Sequence, residues 1–306
     1  MTMAVSAPDL ERSRPGHRRR RRPIRAGRVA THMFMVAMTV LWVVPILFAL
    51  YVALRPYAET AKYGYVSLPH QLTLSNFIDA WTQSDMWRFF VNSMMITVPA
   101  VIITLFLASG VAFVVSRMNS RLNVALLIMF TAGNLLPQQV IITPLYRLYL
   151  QIPLPQFLSA NGLLYDSIVG LVVINVAFQM GFCVFVLSNY MKAIPHEIYE
   201  AALVDGASLW TRFWKLTLPL SRPALAALAT LLTTWIYNDF FWAITLMSTG
   251  DKRPITSALA NLQGEFVTNQ NLVAAAALIA AVPTLLVYLF LQRQFIAGLT
   301  LGATKG

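Results

Sequence analysis

Apolar residues run through this chain in long stretches, separated by shorter polar and basic segments. Six of the stretches are each long enough to cross a hydrocarbon core of about 30 Å as a helix. They fall at about 30–54, 91–115, 124–143, 167–190, 223–246 and 272–291. Pro45, Pro99 and Pro283 lie inside them, which membrane helices tolerate because neighbouring groups satisfy the freed carbonyls. The pattern predicts an all-α membrane protein, a bundle of six transmembrane helices.

Composition agrees. The chain has 306 residues, 58% of them hydrophobic and only 11% charged, whereas soluble domains carry about 25% charged residues. That leaves too little polar surface to cover a water-facing globule. The net charge of +11 raises the question of nucleic acid, but much of it sits in one run, Arg18–Arg22 followed by Arg25 and Arg28. An arginine run before an apolar stretch is the pattern of a cytoplasmic flank that orients the first helix. We therefore read 1–28 as a solvated basic tail, 29–306 as the membrane domain, and no nucleic-acid partner. Alternating the spans from an inside N-terminus places most of the 23 lysines and arginines on inside segments, with a small excess remaining when the tail is left out. Both termini are expected in the cytoplasm, with lipid as the surrounding partner. The first apolar stretch has no small-residue cleavage site and reads as a retained helix. The single cysteine, Cys183, reads as a packing residue.

Several chemistries are missing. No G-x-x-x-x-G-K-[ST] phosphate loop occurs. His196-Glu197-Ile198-Tyr199-Glu200 starts like a zinc-protease motif but puts glutamate where the second histidine belongs. His17, His32, His70 and His196 all lie outside or at the edge of the spans, so no intramembrane base is at hand for a serine nucleophile. An ion-coupled transporter keeps ionisable groups at membrane depth, and here Asp239 alone is clearly placed there. The chain is expected to be no enzyme, to hold no metal or cofactor, and to draw its energy from another protein.

The segment 194–223, IPHEIYEAALVDGASLWTRFWKLTLPLSRP, is patterned differently from the rest. Pro195 suits a first helical turn, and Glu197 and Glu200 complement the helix dipole. Ile198, Ala201 and Ala202 recur on one narrow face. Asp205-Gly206 breaks the helix, because glycine adopts the left-handed conformation that turns the chain. A second short helix is expected over 208–216, with Phe213, Trp214 and Leu209 opposing Arg212 and Lys215, and with Pro219 and Pro223 ending it. An interfacial lipid-binding helix would present large apolar groups and lysines. A helix–elbow–helix with an acidic, small-residue tip better suits docking into a groove on another protein.

Glu200-Ala201-Ala202-x-x-Asp205-Gly206-Ala207, with Leu218-Pro219 downstream, resembles the EAA motif of ABC importer permeases. The details are similar to the maltose-type carbohydrate branch, in the smaller of its two permease subunits. Echoes run along the chain at Asn76-Phe77, Asn92-Ser93, Pro144-Leu145-Tyr146, Asn238-Asp239-Phe240 and the last fifteen residues. The resemblance implies that 194–219 is a coupling helix on the cytoplasmic side. Glu200, Ala201, Ala202, Asp205, Gly206, Ala207 and Pro219 would then dock into an ATPase, and the C-terminus would reach between the ATPase subunits. It further implies a homologous second permease, two ATPase subunits carrying ATP and Mg, an extracytoplasmic solute-binding protein, and alternating access as the mechanism of sugar import. Sugars need neutral hydrogen-bonding groups and aromatic faces. Asn175, Gln179, Trp235, Tyr237 and Asn238 offer both and are the candidates for the translocation path.

Overall fold

A computed structural model describes residues 26–83, 85–117, 121–135, 137–259 and 269–300. The arginine run, most of the tail and the final residues 301–306 lie outside the described residues. Those that are described are helical, apart from connections and one isolated bridge between Pro153 and Leu163. Contacts divide the chain into two units, Met1–Phe48 and Ala49–Gly306.

The first unit contributes most of α1 (Ala26–Ala53), in which residues 27–48 are exposed throughout and rich in Met, Val, Leu, Trp and Phe. A helix apolar all round is at home in lipid or against another membrane chain.

In the second unit the end of α1 is fastened by side chains that satisfy its last carbonyls. Asn76 donates to Ala53 and Arg55 carbonyls, each at 2.8 Å, and Asn271 donates to those of Val52 and Arg55, each at 2.9 Å. Two short helices follow, α2 (Tyr57–Tyr63) and α3 (Ser75–Gln83). Arg55 is fully buried, which its partners make possible. It bonds Glu59 at 2.7 Å, Ser67 at 2.8 Å and the carbonyl of Tyr65 at 3.2 Å. The Glu59 carboxylate is lowered to about 2, first by the His70 amide and then by Arg55 and the Gln71 amide, against the cost of burial.

The bundle is built on α4 (Met86–Arg117) and α7 (Ile168–Lys192), which form its most extensive helix pairing. The buried face of α4 is lined by Thr97, Ala100, Thr104, Ala108 and Ala112. α7 answers with Gly170, Gly181, Cys183 and Ser188. Small residues let two backbones approach closely where lipid supplies no hydrophobic drive. α5 (Arg121–Leu135) packs on α7, and α6 (Ile142–Gln151) follows. After α8 (His196–Val204) come α9 (Leu209–Thr211), a π-helical stretch Arg212–Thr217 and α10 (Leu218–Leu220). Then come α11 (Arg222–Tyr237), α12 (Phe241–Leu246), α13 (Ile255–Ala258) and α14 (Gln270–Thr300), with α11 lying against both α14 and α4.

Four described helices are long and apolar enough to cross a membrane singly, and a bent pair makes a fifth candidate. They match the expected first, second, fourth and sixth spans. The other two differ. The stretch expected over 124–143 holds only the 15-residue α5, followed by extended Pro137 and a 3-10 turn, Gln138–Ile141. Proline lacks an N–H and forces its predecessor out of the helical region, which ends the helix there. The stretch expected over 223–246 is broken after Tyr237, and the Asp239 carboxylate accepts the Trp242 amide at 3.3 Å at the start of α12. Asp239 thus satisfies an amide of the first turn of α12 from the residue before its N-cap, Phe240.

Gly170 sits tightly against its neighbours. A Cβ there would press on the Leu164 carbonyl oxygen and sit 3.1 Å from the Tyr149 ring, whose hydroxyl already donates to the Gly170 carbonyl at 3.0 Å. We expect Gly170→Ala to destabilise the bundle by about 1–3 kcal/mol, the usual cost of overpacking. A thermal unfolding scan of the detergent-purified protein measures this. An unchanged midpoint would show that Tyr149 yields freely.

Candidate functional site

Two regions collect the candidate residues, one at the helix–elbow–helix and one inside the bundle.

α8 begins after Pro195, in extended conformation as its N-cap, and ends in a Schellman closure. The Ala207 amide donates to the Ala202 carbonyl at 2.9 Å and the Gly206 amide to the Leu203 carbonyl at 3.0 Å. Gly206 holds φ +75°, the left-handed value this closure needs. Asp205 is the C-cap and is exposed. Glu200 is exposed and, among the described residues, pairs with His196 at 3.0 Å. Ala201 is exposed, while Ala202 and Ala207 are half-buried. Among the large side chains of α8, Tyr199 is the one that faces inward, at 5% exposure. The expected small-residue tip is also flanked by exposed Leu203, Val204, Leu209 and Trp210, so the outer face is more apolar than the motif residues alone indicate.

The second helix departs from expectation. Ser208 caps it, accepting from the Thr211 amide at 3.2 Å, but it does not stop at 216. Helical structure continues through the π stretch to Leu220, with Pro219 inside it, and then bends by 70° into α11. The π geometry accounts for this: the amide of Leu218 reaches back to Phe213, a wider register that relieves the clash a proline makes with the preceding turn. Phe213 is buried as expected, whereas Trp214 and Leu209 are exposed at 41% and 58%.

Inside the bundle, α7 and α11 frame a cavity of about 390 Å³ with the Asn238–Phe240 break and the turn after Pro137. Asn175, Gln179, Trp235 and Asn238 all line it, so the structure unites four of the five path candidates. It adds Gln138, Thr234, Asp239, Phe178 and Trp242. Asn175 donates to the Leu171 carbonyl at 2.9 Å and also reaches the Asp239 carboxylate. Asn238 donates to the Thr234 carbonyl at 2.8 Å. Aromatic pairs back the polar groups: Phe178 with Trp242 at 5.1 Å and Phe182 with Trp235 at 5.3 Å between ring centroids. Carboxamides, a carboxylate and indole faces are the inventory that binds sugar hydroxyls and apolar ring faces.

Tyr237 does not join them. It is 1% exposed and lines a separate cavity of about 320 Å³ with Thr97, Val101 and Pro283. Two residues of helix separate it by about 200° from Trp235, which turns it to the opposite side of α11. Sequence reading missed Gln138 and Trp242 because both lie beyond breaks that apolar patterning does not reveal.

The model of a known family, the binding-protein-dependent transport system inner membrane component, matches residues 105–300. The chain is 32% identical to the melibiose/raffinose/stachyose import permease protein MelC of Bacillus subtilis over 250 residues, 80% of this chain and 87% of that one. It is 29% identical to the diacetylchitobiose uptake system permease protein NgcG of Streptomyces coelicolor, over 90% of this chain and 88% of that one. Its fold is shared with a chain of a bacterial ABC transporter that imports the acidic polysaccharide alginate. The TM-score is 0.72 at 21% identity, covering 89% of this chain and 98% of that one. Family match, fold and membrane helices agree: the chain is a multi-pass membrane permease and belongs to the binding-protein-dependent transport system inner membrane components.

Proposed function

We propose that the chain is one of two permease halves of an ATP-driven importer of neutral oligosaccharides, with the sugar passing the cavity between α7 and α11. The observation that supports the reading is the segment from Glu200 to Ala207, mostly exposed and closed by a left-handed glycine. The names of relatives support the solute class: they import melibiose and raffinose, diacetylchitobiose, alpha-glucosides and arabinooligosaccharides. A similar solved transporter is in complex with a sugar-bound periplasmic protein.

In this reading Glu200, Ala201, Ala202, Asp205, Gly206, Ala207 and the run to Pro219 dock in a cleft of a cytoplasmic ATPase that carries ATP and Mg. Both termini are cytoplasmic. The Arg55-centred segment faces a solute-binding protein outside, as do the two connections joined where the Asp166 carboxylate accepts the Ser248 and Thr249 amides, each at 2.9 Å. Closure of two ATPase subunits moves the docked segments and switches the permease pair from inward to outward access. No bond is made or broken in this chain. The cavity's carboxylate favours hydroxyl-rich neutral solutes, since a second buried negative charge is costly.

The test is a pull-down of the tagged chain from mild detergent, with uptake of radiolabelled raffinose and diacetylchitobiose by intact cells. We expect an ATPase and a second permease to co-purify, and uptake of at least one sugar to need both the chain and ATP. A chain that purifies alone, or uptake that follows an ion gradient instead, sinks the proposal.

A further inference from the structure

The last residue of α4, Arg117, is joined to two other elements at once. Its guanidinium lies 3.5 Å from the centroid of the Tyr199 ring, and one of its nitrogens donates to the carbonyl of Met191. Met191 is in the last turn of α7, where a cation is favoured, and its carbonyl also accepts the Ile194 amide at 3.3 Å. Tyr199 in turn reaches the π stretch. The Thr217 hydroxyl hydrogen is committed to the Arg212 carbonyl at 3.1 Å, so in the 3.0 Å bond between them Tyr199 is the donor. Tyr199 and Thr217 are 5% and 0% exposed, so water does not compete for these contacts.

The same face of α4 meets the π stretch twice more. Phe113 packs on Phe213 at 5.3 Å and Phe106 near Trp214 at 6.2 Å between centroids. Phe106, Phe113 and Arg117 recur at spacings that stack on one side of a helix. Tyr199, Phe213 and Trp214 therefore rest on one stripe of α4, and at its end Arg117 ties α4, α7 and α8 together.

We infer that Arg117 is the positioning residue through which displacement of 196–217 is delivered to α4 and α7. This rests on the reading of Glu200–Ala207 as the ATPase-docking segment. The geometry suits transmission. A guanidinium stacked on a ring and bonded to a carbonyl resists shear in two directions, whereas the paired aromatic rings alone can slide. Arg117 touches neither the exposed docking face nor the sugar cavity, so its removal separates transmission from both binding events.

The test uses the whole complex, purified through a tag on this chain and held in nanodiscs, with hydrogen–deuterium exchange followed with and without Mg-ATP. In the wild type we expect Mg-ATP to change exchange at 196–217, at 105–117 and at 185–192. In Arg117→Gln the change at 196–217 should persist, while the changes at 105–117 and 185–192 fall by about fivefold or more, in keeping with a desolvated cation–π contact and a charged hydrogen bond. Tyr199→Leu, which leaves the Arg117–Met191 bond in place, should lose the response at 105–117. Tyr199→Phe, which keeps the ring, should retain it. A full response at 105–117 in Arg117→Gln overturns the inference. So does loss of the ATPase subunits from both Arg117→Gln and Tyr199→Leu, which would make the contact one of assembly. A Glu200→Lys complex that keeps its ATPase subunits overturns the docking reading instead, whatever the Arg117 variants do.

Discussion

Glu200→Lys should release the ATPase subunits and abolish sugar uptake while leaving the permease folded and in the membrane. The Glu200 side chain is 66% exposed and its one described partner is His196, itself 70% exposed. An exposed pair of this kind contributes little to stability, so charge reversal leaves the bundle intact. Across a docked interface the balance is different. Removing one member of a desolvated charge pair costs about 2–5 kcal/mol, and reversal adds like-charge repulsion. The affinity for the ATPase should fall by about thirtyfold at least. Pull-down yield and uptake per membrane-inserted chain measure it, with Glu200→Gln expected between wild type and lysine. Unchanged co-purification would overturn the reading of Glu200–Ala207 as the docking segment.

The second large effect is expected at the elbow. Gly206 has φ +75° and open space around a built Cβ, so a side chain meets no clash and the whole cost is conformational. A non-glycine residue in the left-handed region costs about 1–2 kcal/mol, and a β-branched one is a rarer outlier still. Gly206→Val should therefore undo the closure over Ala202 and Leu203, reorient α8 and cut uptake by about tenfold or more. Gly206→Asn should retain most of it, because asparagine visits this region readily. Equal uptake by valine and asparagine variants would show that the elbow's conformation is immaterial to transport.

Both effects were legible from residue order. The elbow rests on local rules: a dipeptide that cannot continue a helix, flanked by a small-residue face and a Ser N-cap. Membrane spanning rests on composition summed over about 20 residues, and it held in α1, α4, α7 and α14, three of which carry an internal proline. The stretches at 124–143 and 223–246 show its limit. Hydropathy averages across Pro137 and across Asn238-Asp239, and backbone geometry does not.

The sequence alone determined the class of the protein, the helices that follow from long apolar runs, the left-handed turn at Gly206, and which residue types could bind a sugar. Tertiary structure decided what each side chain faces. It put Tyr199, not the alanines beside it, at the inner contact of α8, and placed Arg117 over its ring. It carried Pro219 through a widened helix and bent the chain after Leu220 instead. It also turned Tyr237 away from the cavity that Trp235 and Asn238 share. The physical reason is one of range. Backbone conformation answers to neighbours within about four residues, which the sequence displays directly. Side-chain partners here lie tens of residues apart, and their meeting depends on how α4, α7 and α11 pack.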